Sequence, residues 1–417
     1  MPKKSNSPVI LILAAVCILF FPSSSGLCQA IAVPSEYRDL YSELDEELSR
    51  VEALFNERQQ VSEYPVIFGA QLIGADAKRT QELLKAGQYE SLLLELDRLK
   101  EMGIQLVTIS VGFPNLYRAF YKNREDYDAY LDFYKRLAKD IRSRGMKLVI
   151  EAQPLPDKLG VSQESTELSA FLRKFKFKEY LKARCLALVN IARELEPDYI
   201  SIISEPDTEA MLGGQPIDDP QNSVLLVNTA LQGFKKAKIK GVSTGAGVGI
   251  WHPRYRAFVL SFAQCRRLNF IDLHVYPVNL GLLERVEESA DIAIRRGKQI
   301  AISEAWLYKC RIRELGRGLD DAEIFSRDTF SFWEALDKKF VRVMNGLVRA
   351  NQYEFISFFW SKYFHAYLDY GKIKELSPIQ IADISSAQTA NSLVYDKYTG
   401  LAGSLSAMIK EGRGAVK

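Results

Sequence analysis

Short apolar runs alternate with amphipathic stretches along most of this chain. The runs are PVIFGAQLI (65–73), IQLVTISVGF (104–113), KLVIEAQP (147–154), YISIISEP (199–206), GVSTGAGVG (241–249), FIDLHVYP (270–277), QIAISEAW (299–306) and FISFFW (355–360). Between them lie segments with apolar residues at helical spacing, among them YESLLLELDRLKEMG, KEYLKARCLALVNIARELEP and FWEALDKKFVRVMNGLVRA. Continuous apolar strands, each leading to a helix, predict parallel pairing with both faces of the sheet buried. Eight such units within about 350 residues fit a closed α/β architecture, the (β/α)8 TIM barrel, better than a doubly wound sheet.

Two further segments flank the repeat. Before it, SEYRDLYSELDEELSRVEALF places Tyr37, Leu40, Tyr41, Leu44, Leu48, Val51 and Leu54 on one helical face. That pattern predicts an extra helix packed on the domain, with a coiled-coil partner as the weaker option. After the eighth strand, 361–405 reads as a long excursion before a last helix at LSAMIKEG. The GAGVG of 245–249 is half a nucleotide fingerprint with no suitably placed acid, and reads as close backbone packing at a strand end.

Composition narrows the function classes. The 417 residues carry a net charge of +3, and without Lys3 and Lys4 basic and acidic residues nearly balance, so neither nucleic acid nor an anionic membrane is an expected partner. Lys3 and Lys4, the apolar PVILILAAVCILFF (8–21) and the small residues before Ala30 follow the order of a secretory signal peptide. The expected organisation is therefore a leader over 1–30, a helical extension over 31–63 and a catalytic barrel over 64–417, secreted or periplasmic. Cys17 and Cys28 fall in the leader; Cys185, Cys265 and Cys310 form no CxxC pattern and are expected as free thiols.

In such a barrel the active site lies at the carboxyl ends of the strands. Those ends offer Gln71, Asn115 shortly past strand two, Glu151 and Gln153, Ser204 and Glu205, Trp251 and His252, then Asp272, His274 and Tyr276, then Glu304 and Trp306, and Trp360. Acids and aromatics gathered at one rim suit a carbohydrate site: carboxylates for glycosidic chemistry, flat rings against sugar faces. Glu205 and Glu304, three strands apart, would face each other across the mouth. Asp272 lies deeper on the same strand face as His274 and is expected to be structural, and Glu151 is expected either to bind substrate or to neutralise an arginine in the barrel. No metal or cofactor is expected. Three histidines without a His-x-His do not make a metal hydrolase, and EAWLYK and FWSKYF lack the glycines of a phosphate site.

The order of these residues resembles clan A of the glycoside hydrolases, (β/α)8 retaining enzymes with their acid/base and nucleophile at the ends of strands four and seven. Ser204-Glu205-Pro206 stands where the clan typically has Asn-Glu, often followed by Pro; His274 and Tyr276 match a strand-six pair, and Trp360 matches a strand-eight tryptophan. The likeness spans about 64–410 and is similar in general look to endo-β-galactanases and related β-glycanases. It implies Glu205 as acid/base, Glu304 as an ionised nucleophile and Tyr276 as its hydrogen-bond donor. Substrate contacts would come from Ser204, His274, Tyr276, Trp306, Trp360, Trp251, Gln153 and Asn115. Ser204 departs from the clan, because a hydroxyl cannot replace the two amide donors of asparagine. That departure leaves a glycan-binding barrel without catalysis as the rival expectation.

Overall fold

The computed structural model describes residues 32–57, 65–154, 170–276, 281–311, 314 and 321–414. Residues Val33–Lys417 form one compact unit, while the leader expected over 1–30 lies outside the described residues. Eight strands close into an all-parallel barrel in sequential order. They are β1 (Ile67–Gln71), β2 (Leu106–Ser110), β3 (Lys147–Glu151), β4 (Tyr199–Ser201), β5 (Ser243–Gly249), β6 (Phe270–Val275), β7 (Gln299–Ala305) and β8 (Phe355–Phe358). The β1–β8 pairing, Ile67 opposite Phe355 through Ala70 opposite Phe358, closes the ring.

The surrounding helices are α1 (Arg38–Glu57), α2 (Gln88–Met102), α3 (Arg124–Ser143), α4 (Phe177–Leu195), α5 (Pro206–Gly213), α6 (Pro220–Lys236), α7 (Tyr255–Ala263), α8 (Leu282–Arg295), α9 (Asp321–Arg327), α10 (Glu334–Ala350), α11 (Tyr370–Ile373), α12 (Pro378–Val394) and α13 (Gly400–Gly414). Helix α1 packs on α10: Leu40, Leu44, Leu48 and Val51 are buried and Tyr41 stacks on Trp333. Its apolar face is spent on this domain.

Inside the barrel the chemistry is layered. Leu106, Val149, Tyr199, Phe270, Ala301 and Phe355 form an apolar plug at the amino-terminal end, with Ile67 packed against it. Above the plug the interior turns polar, and Thr108 donates to Ser357 at 2.8 Å. Strand β5 supplies almost no side chains there. A Cβ on Gly245 would overlap the Phe270 ring, and one on Gly247 would overlap the Asp272 backbone, so close approach explains the GAGVG run.

Two expectations need correction. The 361–405 excursion is largely helical, with α12 entered through a capping box in which Ser377 and Gln380 bond each other's backbone. That signal was present in SPIQ; the irregular apolar spacing that leaves Ile379, Ile384 and Val394 exposed hid the helix. The buried arginine beside the barrel, Arg184 on α4, pairs with Glu209, not Glu151. Arg184 and Glu209 are both fully buried and bridged at 3.1 Å, and Tyr180 donates to Glu209 at 2.6 Å. The same guanidinium donates to the carbonyls of Ala152 and Ile202, just past the ends of β3 and β4.

Removing one partner of such a pair strands a buried charge. Arg184→Leu should therefore lower unfolding stability by about 3–5 kcal/mol in chemical denaturation. Arg184→Leu with Glu209→Leu should recover most of that loss, because no uncompensated charge remains.

Candidate active site

The carboxyl-end mouth is organised around His274, which is fully buried. Its Nδ1 lies 2.7 Å from Glu205 Oε1 and 3.4 Å from Glu304 Oε2. Two oxygens that reach one nitrogen lie no more than roughly 6 Å apart, a range that includes the spacing at which one carboxyl attacks while the other protonates. On the other side of the ring, Nε2 lies 3.0 Å from Ser303 Oγ and 3.3 Å from Glu151 Oε1.

Each glutamate is held by its local backbone. Glu205 occupies the N-cap position of α5, with Pro206 opening the helix, and its N–H donates to Gln153 Oε1 at 3.2 Å. Glu304 is presented by an irregularity in β7. Leu273 pairs with Ile302 but His274 pairs with Glu304, so Ser303 is an extra residue in the ladder. Such a bulge lets two successive side chains turn inward. Ser303 then reaches Asp272 at 2.8 Å, while Glu304 accepts from Gln71 at 3.1 Å and from the Tyr276 hydroxyl. Strand alternation alone would have sent one of the pair outward.

Burial and charge oppose each other here. Burial disfavours a charge on His274, but Glu304, Glu151 and Glu205 outweigh it and its pKa is raised well above the usual imidazole range. Burial also works against the charge on Glu151, yet His274 holds that carboxyl below its ordinary value. Glu304 moves the other way: burial and then the Glu151 charge raise its pKa well above the carboxylate range, with His274 pulling against them. An ionised Glu304 was expected; burial and the Glu151 and Glu205 charges work against that charge, while His274 favours it.

The remaining expected site residues separate into groups. Ser204 points inward, its hydroxyl 2.9 Å from Ser201 Oγ and 3.2 Å from Asp272 Oδ2, and is completely buried. Gln153, partly exposed, accepts the Glu205 N–H through its Oε1. Asn115 accepts from Tyr121 at 2.5 Å on the loop after β2 and makes no hydrogen bond to either glutamate. Trp251, partly exposed, donates to Asp207 at 3.2 Å and lies 5.5 Å from the Tyr276 ring. Trp360 is also partly exposed and packs edge-on against Phe359 and Phe325. Trp306 is a correction: it is fully enclosed and stacked on Tyr363 at 5.2 Å, so it has no free face for a sugar. His252 is engaged with Asp218 at 2.8 Å, away from the glutamates.

Sequence reasoning assigned no role to Asp207, Ser303 or Tyr308. Asp207 stands two residues after Glu205, and burial followed by the Glu205 charge raises its pKa. Tyr308 stacks on Tyr276 at 4.5 Å. The EPD and ISEAW strings displayed the first two residues; nothing in them showed where the side chains turn. Glu151, His274 and Glu304 present oxygen and nitrogen atoms within 4.8 Å of one another, close enough for a metal ion by spacing alone. Each imidazole nitrogen already faces an oxygen at hydrogen-bonding distance, so the group reads as a proton network.

No protein-family model and no curated protein matches the sequence. Solved structures do resemble the fold. A GH5_18 protein from Bifidobacterium longum subsp. infantis aligns with a TM-score of 0.54 at 10% identity, over 83% of this chain and 79% of its own. A GH5_18 protein from Streptomyces cattleya, solved in complex with GlcNAc, aligns at 0.52 and 11% identity, over 84% and 80%. The chain shares the (β/α)8 barrel of these glycoside hydrolases.

The two tryptophans should separate by experiment. Trp306→Ala should cost about 3–5 kcal/mol of unfolding stability, measured by denaturation, as a large-to-small change in a packed core does. Trp360→Ala, at a partly exposed position, should cost less stability.

Proposed function

We propose that this protein is a retaining glycoside hydrolase acting on a β-linked glycan. The observation that carries the reading is the contact of Glu205 and Glu304 with one imidazole nitrogen, which brings both carboxyls to bear on a single point in the mouth. Similar folds among glycoside hydrolases agree with it. In this reading Glu205 protonates the leaving oxygen while Glu304 attacks the anomeric carbon. Glu205 then takes a proton from the water that releases the sugar. Tyr276 and Gln71 donate to Glu304 and orient it. Those bonds, with His274, favour the carboxylate against the opposing effect of burial.

Trp251 and Trp360 supply the partly exposed aromatic surface that a sugar ring needs. Substrate contacts from Trp306 drop out of the proposal because that ring is enclosed. Ser204 contacts Asp272 in place of reaching the cleft, so it orders the floor of the site. Export from the cytoplasm is part of the same proposal, supported by the leader-like order of charged, apolar and small residues over 1–30. No described helix is long and apolar enough to cross a membrane.

The test is hydrolysis of aryl β-glycosides and a panel of β-glycans, with analysis of product configuration. Glu205→Ala should lose most activity on poor leaving groups and keep more on activated aryl glycosides, with azide restoring turnover to a product of retained configuration. Glu304→Ala should be inactive on both classes, and azide should there give the inverted product. A wild type that binds oligosaccharide but cleaves none of the panel would instead identify a silent glycan binder.

A further inference from the structure

The mouth contains a buried carboxylate beside His274 that double displacement does not use. Glu151, at the end of β3, is fully enclosed, and neither of its oxygens makes a hydrogen bond of ordinary geometry. It lies 3.3 Å from His274 Nε2. Burying an ionised carboxylate is costly unless a charge answers it, so the position of Glu151 asks what His274 carries.

Hydrogen-bond bookkeeping answers from geometry. Ser303 Oγ has one proton, directed at Asp272 Oδ2 at 2.8 Å. Asp272 receives the Ser303 hydroxyl and the Ser303 N–H, two donors that favour its carboxylate against the burial that raises its pKa. With that proton engaged, Ser303 turns a lone pair toward His274 Nε2, 3.0 Å away, and Glu151 Oε1 stands 3.3 Å from the same nitrogen, so acceptors converge on a protonated Nε2. At the opposite edge Nδ1 meets Glu205 at 2.7 Å and Glu304 at 3.4 Å. With acceptors at both edges the ring is an imidazolium. The titratable groups that face it are Glu151 from β3, Glu205 after β4, Glu304 from β7, Asp272 through Ser303, and Tyr276 on its own strand.

We propose that Glu151 is the resident counter-ion of His274, and that this buried pair leaves Glu205 and Glu304 one proton to share. The proposal rests on the glycosidase reading for what that proton does, but not for the charge on His274. An uncompensated imidazolium touching both catalytic carboxyls would favour ionising both, and the acid would be lost. With Glu151 beneath it, the pair is neutral overall, and burial and mutual repulsion keep one proton between the two glutamates. In the first step that proton passes from Glu205 to the leaving oxygen as the glycosidic bond breaks and Glu304 bonds to the anomeric carbon. In the second, water returns a proton to Glu205 as its oxygen displaces Glu304. His274 and Glu151 neither gain nor lose a proton. Glu151 is thus a positioning residue acting through His274. The downward shift at Glu151 and the upward shifts at His274 and Glu304 have the same sense.

The chain has only three histidines, which makes the charge directly readable. In protein labelled with 15N at histidine, the imidazole shifts can be followed against pH, with His252→Asn and His365→Asn assigning the signals. Wild-type His274 should remain doubly protonated through neutral pH. In Glu151→Gln its titration should fall by at least about one pH unit. The alkaline limb of kcat/KM should move the same way, with at least about a tenfold loss at neutral pH, little change in KM, and partial recovery in Glu151→Asp. A neutral His274 in the wild type at pH 7 would overturn the proposal, and that measurement needs no variant to fold. A folded Glu151→Gln protein that loses activity without moving either titration would overturn it too, leaving only packing. If the wild type cleaves no glycan, the NMR arm still decides the ion pair while the glycosidase reading fails separately.

Discussion

A charged imidazole can sit inside a closed barrel only if carboxylates surround it, and most of the mouth of this protein follows from that requirement. His274 is completely buried, yet Glu151, Glu205 and Glu304 all approach its two nitrogens within 3.4 Å. In low dielectric each of these contacts is far stronger than it would be at the surface, and each unpaired member would be far more costly. The ring therefore holds the two strand-end glutamates at one point and, through Ser303 and Asp272, ties them to the polar layer beneath. Proton count and geometry are set together.

The rest of the barrel supplies the rigidity this arrangement needs. The apolar plug closes the amino-terminal end of the interior, and the glycines of β5 let β6 crowd close, with Phe270 against Gly245 and Asp272 against Gly247. Beyond the ends of β3 and β4, Arg184 ties the carbonyls of Ala152 and Ile202 to Glu209 on α5, the helix that Glu205 caps. Trp306 contributes as a packed wall stacked on Tyr363. A carboxyl pair does useful chemistry only when its supports leave it little freedom, and here those supports come from β3, β4, β6, β7 and α5 at once.

The same arrangement gives the two glutamates unequal surroundings, although both end an apolar strand. Glu304 is bonded by Gln71 and Tyr276 and pressed by Glu151; Glu205 caps a helix and faces Asp207, which Trp251 holds. Acid and nucleophile roles in paired carboxylates arise from such differences of environment. The folds it resembles share the barrel at 10–11% identity, so the proposed roles rest on this chain's own contacts.

Much of this was legible in the chain. The alternation of apolar strands with amphipathic helices determined the barrel, because each run can bury its faces only between parallel neighbours and helices. The strand-end positions of Glu205, Glu304, His274 and Tyr276 followed from counting strands, since such a barrel gathers its carboxyl ends at one rim. What the tertiary structure decided is where side chains turn and whom they meet. The bulge at Ser303 reversed the alternation that would have separated it from Glu304. The partner of Arg184 proved to be Glu209 and the partner of Glu151 to be His274, while Trp306 was buried against Tyr363, more than fifty residues further along the chain. Periodicity records which face of an element is buried. It carries no information about which of several distant charges will answer a buried one, because that choice depends on distances of a few ångströms that exist only after the barrel has closed.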